Sequence, residues 1–128
     1  KVFGKPEQLT KLTDIVWPEI RRLAELEIAD CAAINPDGVV VLEAAVLFEA
    51  GWEDIGEEVW VLVVDREIAI ERSMARDNAD RAAVESRLDS QLSNEERISR
   101  ATSVIYNNGD QQKMIEQLEA EWRRVSEA

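Results

Sequence analysis

Between residues 66 and 100 every basic side chain is an arginine. Arg66, Arg72, Arg76, Arg81, Arg87, Arg97 and Arg100 make up seven of the chain's fifteen Lys and Arg. A guanidinium presents a planar fork of N–H donors that matches two phosphate oxygens at once, whereas an ammonium is a point charge. Arginine without lysine in one window therefore points to phosphate chemistry. The same spacing has a second reading. Eight acids are interleaved with these arginines, and i,i+4 ion pairs on solvated helices would use both signs. Residue types alone leave the two readings open.

A second candidate is Glu43. It follows Val39-Val40-Val41-Leu42, a solidly apolar run after the turn residues Pro36-Asp37-Gly38. The run is too short for a membrane span and rich in β-branched residues, so Gly38 to Leu42 reads as a buried strand. A strand apolar on both faces suits a parallel sheet covered by helices. Open α/β sheets bind ligands at the carboxyl ends of their strands, which is where Glu43 falls. Leu47-Phe48-Glu49-Ala50-Gly51 then breaks strand periodicity and turns the chain.

Composition narrows the chemistry. A net charge of −12 argues against a nucleic-acid partner, which would need a cationic face. There is no histidine, so His-based catalysis and His metal sites are excluded. The single cysteine, Cys31, excludes an internal disulfide and fits a reducing compartment. No signal peptide or membrane-spanning run is visible. The 128 residues, 45% of them hydrophobic, suffice for one domain with a core. The sequence opens at Lys1-Val2-Phe3-Gly4 without an initiator Met, which suggests a piece of a longer protein.

The elements that must position these groups follow from periodicity. Pro6 to Asn35 reads as helix, with Leu9, Leu12, Ile15 and Val16 on one face and Ile20, Leu23, Leu26 and Ile28 beyond. Pro18 predicts a break near Trp17-Pro18. Val59 to Val64 reads as a second buried strand, expected to pair in parallel with the first. Residues 66–100 read as two or three short helices, one starting at Ser93 with Glu96 three residues on. Ser103 to Tyr106 reads as a third strand, closed by the turn Asn107-Asn108-Gly109. Asp110 caps a last helix running to about Val125. Helices, two strands, helices, a strand and a helix make an α/β pattern.

A nucleotide-binding α/β domain ordinarily carries a Gly-rich phosphate loop, and no G-x-x-x-x-G-K-[ST] exists in these residues. Four blocks nevertheless resemble the dephospho-CoA kinase family, in order and across essentially the whole chain. The first is Val2-Phe3-Gly4 with Leu9, Leu12, Ile15, Trp17-Pro18 and Ile20. The second is Val40-Val41-Leu42-Glu43-Ala44-Ala45-Val46-Leu47-Phe48-Glu49-Ala50-Gly51, similar to the family's V-V-L-D-x-P-L-L-F-E-A-G. The third is Ile70-Glu71-Arg72-Ser73-Met74-Ala75-Arg76-Asp77 followed by Arg87, Gln91 and Ser93. The fourth is Val104-Ile105-Tyr106-Asn107-Asn108-Gly109. The chain departs from the family pattern in having Trp17 for its His, Glu43 for its strand-end Asp, and Tyr106 where Asp is frequent. Within the family the blocks most resemble the kinase domain that ends the animal bifunctional coenzyme A synthases, in which the same replacement of His by Trp is seen.

The resemblance implies an α/β fold, a P-loop-kinase-like parallel sheet with helices on both faces. It implies a helical CoA-binding part over residues 1–35, core over 36–65 and 101–128, and an Arg-rich helical lid over 66–100. The first strand, the phosphate loop with its lysine, and the acidic base would belong to a missing N-terminal part. That part, or a second chain, would complete the sheet. The implied reaction moves the γ-phosphoryl of ATP, with Mg²⁺, to the ribose 3′-hydroxyl of dephospho-CoA. The implied roles are catalysis for Glu43 and Arg76, and nucleotide binding for Arg72, Arg76, Arg100, Asn107 and Asn108. Phe3, Trp17, Leu47, Phe48 and Glu49 would bind the acceptor, no side chain would ligate the metal directly, and the protein would be cytoplasmic or associated with mitochondria. A non-catalytic binding or assembly fragment, or another P-loop nucleoside or nucleotide kinase, are the alternatives; Leu47-Phe48-Glu49-Ala50-Gly51 disfavours the last.

Overall fold

In the computed structural model, which describes residues 5–127, the chain divides into two units, Lys1–Gly56 and Glu57–Ala128. The first unit is dominated by one helix, α1 (Pro6–Ile34), with Pro6 in its first turn, where the missing N–H would have had no partner. The break expected at Trp17-Pro18 does not occur, since α1 continues through Pro18. Contacts on both sides of the proline supply the reason. The Trp17 ring meets Trp52 edge-on, with centroids 6.3 Å apart. One turn later, the Arg21 guanidinium donates to Asp54 Oδ1 and Oδ2 at 2.9 and 3.0 Å and to the Gly51 carbonyl at 3.2 Å. The cost of the lost helical bond is set against two anchors on one loop.

That loop has its own logic. Residues 46–50 make a single helical turn, with the Ala50 N–H on the Val46 carbonyl. Trp52 N–H then donates to Leu47 O and Gly51 N–H to Phe48 O, with Gly51 at φ 71°. These are the paired bonds of a Schellman cap, which places glycine at the left-handed position. The cap reverses the chain and directs Trp52 to Trp17, and Phe48 and Trp52 are buried.

The buried strand expected over Gly38 to Leu42 is not formed, and with it goes the expected parallel pairing to residues 59–64. A run of this kind becomes a strand only when a neighbour takes its main-chain groups. Among the described residues it has no ladder partner, and Val41 is 82% exposed.

The second unit holds β1 (Trp60–Val63), α2 (Arg66–Asp77), α3 (Arg81–Asp89), α4 (Asn94–Arg100), β2 (Ser103–Tyr106) and α5 (Gln111–Ser126). β1 and β2 form a two-stranded parallel sheet pairing Trp60 with Ser103 and Val63 with Tyr106. Partners across a ladder share a face, so Val61 and Val63 lie on one face, Ser103 and Ile105 on the other. All four are buried, and the core extends to Ile70 on α2 and Val84 on α3. Both faces of the pair are thus covered, as continuous apolar runs require. The caps follow the sequence: Ser93 Oγ accepts Glu96 N–H, and Asp110 Oδ1 accepts Lys113 N–H at 2.9 Å.

Both outer edges of this sheet are closed by side chains. On β2, Gln117 of α5 bonds the N–H and the C=O of Tyr106, as a neighbouring strand would. On β1, the carbonyls of Leu62 and Val64 accept from Arg97 and Asn94 of α4, at 3.1 and 2.9 Å. Unpaired edges invite strand addition, and polar side chains blunt them.

Candidate functional site

Parallel strands bring their carboxyl ends to one side, where β1 runs into α2 at Val64-Asp65 and β2 into α5 through Asn107-Asn108-Gly109. This turn is held from three directions. Asn107 N–H donates to Val63 O at 2.8 Å, prolonging the ladder by one bond. Asp65 N–H donates to Asn108 Oδ1 at 2.6 Å. Arg72, two turns into α2, donates from Nη1 to Asn107 O at 2.7 Å and from Nη2 to Gly109 O at 3.3 Å. The structure therefore brings together Arg72, Asn107 and Asn108, all three expected to serve nucleotide binding.

The other expected residues have the following places. Arg76 bonds its neighbour Asp77 through Nε and Nη2, at 2.8 and 2.9 Å. That contact raises the arginine's pKa and holds the Asp77 carboxyl below its ordinary value. Asp77 also receives Arg87 Nη1 at 3.4 Å. Arg100 closes α4 and is exposed. Glu43 is exposed and follows no strand, so the carboxyl-end position expected for it is not formed among the described residues. Trp17 and Leu47 are half-buried, Phe48 is buried and Glu49 is exposed, all within the first unit. Phe3, with the rest of Val2-Phe3-Gly4, lies outside the described residues.

The arginine window splits between its two readings. Arg66 pairs with Asp89, Arg81 with Glu67 and Glu85, and Arg76 and Arg87 share Asp77, which is the ion-pair pattern. Arg72 and Arg97 instead reach main-chain carbonyls at the sheet's carboxyl end. Asp65 and Asn94 belong to this end and were not singled out by sequence; the available signal was position alone, since Asp65 precedes α2 and Asn94 opens α4.

The amino end of the sheet carries a different cluster. Glu58 accepts both Nη atoms of Arg124 at 2.9 and 2.8 Å and the Trp60 indole N–H at 2.8 Å. These bonds, the arginine's first, pull the Glu58 pKa down to about 2. Glu121 accepts from Ser103 Oγ and from Arg124 Nε, each at 2.8 Å. Among the described residues no group of three or more His, Cys, Asp and Glu is placed to hold a metal ion. Among the described residues no helix is long and apolar enough to cross a membrane.

Comparison with known proteins agrees with this architecture. The family model described as dephospho-CoA kinase matches residues 1–113. The dephospho-CoA kinase of Geobacter sulfurreducens is 39% identical over 123 residues, covering 96% of this chain and 62% of the relative. That of Moorella thermoacetica is 37% identical, covering 97% and 58%. A Thermus thermophilus crystal structure superposes with a TM-score of 0.71 at 31% identity, covering 97% of this chain and 63% of that one. The Campylobacter jejuni dephospho-CoA kinase gives 0.65 at 27% identity, covering 98% and 62%. The chain thus spans about three fifths of the length of these proteins, from 58% to 63%. With the family model spanning most of its length and both of its units, the chain belongs to the dephospho-CoA kinase family.

Proposed function

We propose that the chain is the acceptor- and lid-bearing part of a dephospho-CoA kinase, which moves the γ-phosphoryl of ATP to the ribose 3′-hydroxyl of dephospho-CoA. The observation that carries this reading is the meeting of Arg72, Asn107 and Asn108 at the carboxyl end of β1 and β2. The turn 107–109 meets the adenine end of ATP, and Arg76 and Arg100 meet its phosphates. Phosphoryl transfer asks the protein mainly for position and positive charge. Arg76 is suited to that task because its partner is replaceable. The Arg76–Asp77 pair is exposed, and Asp77 keeps Arg87 when Arg76 turns to a phosphate. Arg100, at the end of α4, is the second lid candidate.

Residues 1–35, with Leu47, Phe48 and Glu49, form the side that takes dephospho-CoA, and Phe3 and Trp17 belong to it. Glu43 orients the acceptor or a water of hydrated Mg²⁺, an ion that keeps most of its water. The described residues supply no cluster of metal ligands. Mg²⁺ would arrive with the nucleotide phosphates and reduce their charge. The phosphate loop and the base lie in sequence other than these 128 residues, in the same polypeptide or in a second chain. A reducing, cytoplasmic setting suits the single cysteine. The exposed apolar positions of α1, among them Leu23 and Leu26, favour an assembly role as the second reading.

The test is ATP-dependent phosphorylation of dephospho-CoA. The full-length protein should turn over, and Arg76→Ala should lower kcat about 100-fold, the scale of losing one donor to the developing charge. The 128-residue chain by itself should show no turnover above a no-protein control. A full-length protein that phosphorylates a nucleoside monophosphate and not dephospho-CoA would contradict the reading.

A further inference from the structure

Arg72 spends its guanidinium on two main-chain carbonyls of one turn, those of Asn107 and Gly109. With Asn107 N–H on Val63 and Asn108 Oδ1 on Asp65 N–H, this fixes the backbone of the turn to β1, to the β1–α2 junction and to α2. The carboxamide of Asn107 takes part in none of these bonds and keeps both its acceptor and its donors. That combination matches a base edge offering a donor beside an acceptor, as adenine does. We infer that Arg72 is a positioning residue for the adenine end of ATP: it fixes the turn, Asn108 braces it, and Asn107 is left to read the base. Assigning ATP as the occupant rests on the function proposed above. The chemistry separates Arg72 from Arg76. A phosphate ligand must give up its resting partner when the substrate arrives, whereas Arg72 acts by keeping its own.

The full-length protein carries the test. In Arg72→Ala the KM for ATP should rise about tenfold while kcat stays within about threefold, the pattern of lost ground-state binding. The KM for dephospho-CoA should not change, and the preference for ATP over GTP should fall. Arg72→Lys should recover only part of the loss, because one ammonium lacks the fork that spans both carbonyls. A fall in kcat at unchanged KM for ATP would make Arg72 a phosphate ligand and overturn the inference, as would full activity in Arg72→Lys. Amide exchange reads the same turn without the reaction. In Arg72→Ala the N–H groups of Asn107 and Asp65 should exchange about tenfold faster or more, with Val61 and Ile105 unchanged. Unchanged exchange at Asn107 and Asp65 overturns the positioning role whatever the kinetics. Faster exchange in a protein that phosphorylates no dephospho-CoA supports the positioning role and overturns the reading of the reaction instead.

Discussion

The two ends of the β1–β2 pair use similar side chains in opposite ways. At the amino end Arg124 answers two carboxylates, Glu58 and Glu121, and Ser103 and Trp60 fill what remains of them. At the carboxyl end Arg72, Arg97, Asn94 and Asn108 all bond main-chain groups. A network of mutually satisfied charges offers a ligand little, because any new contact must first displace an old one. Side chains that hold main chain shape a loop and leave the loop's own side chains available. The family's chemistry is accordingly expected at the end where no carboxylate answers Arg72.

The largest effect should come from the residue that both ends share. Ile105 is 1% exposed and sits between Ser103 and the 107–109 turn on β2. Ile105→Ala should cost roughly 2–5 kcal/mol in the urea unfolding of the full-length protein, the range for deleting a buried isoleucine side chain. It should loosen both ends together. A loss confined to one end would mean that the ends are not coupled through the strand.

A smaller effect separates the ends by pH. Glu58 has its pKa lowered from about 4.5 to about 2 by Arg124 and Trp60. A depressed carboxylate stabilises the fold above its unfolded pKa, and that contribution is lost as pH falls through the folded value. Wild-type stability should therefore drop between about pH 4.5 and pH 2 more steeply than that of Glu58→Gln, with kcat at neutral pH alike in both. Parallel stability curves would remove the amino-end network from the account. A large loss of kcat in Glu58→Gln would erase the distinction between the ends.

What was legible in the sequence was local. β1 and β2 are short apolar runs bounded by turn residues, and Ser93 and Asp110 are caps whose bonds span three residues. What was not legible depends on distant partners. Val39 to Leu42 has strand composition, but a strand exists through the neighbour that takes its hydrogen bonds. Pro18 should have ended a helix; Trp52 and Asp54, more than thirty residues away, hold the chain on either side of it. The arginine window was seen as a unit, yet its members divide by what they reach. Carboxylate partners could be guessed from i,i+4 spacing, as for Arg81 and Glu85. The carbonyl partners of Arg72 and Arg97 could not, because every residue carries a carbonyl and no sequence mark tells which one is offered.

The most direct test of the account is an ATP titration of the full-length protein followed by backbone amide shifts. Saturable changes should concentrate at Asp65, Arg72 and residues 107–109, while Glu58, Ser103, Glu121 and Arg124 stay silent. Saturable shifts centred on Glu58 and Arg124, or none at residues 107–109, would contradict the placement of the nucleotide at the carboxyl end of the sheet.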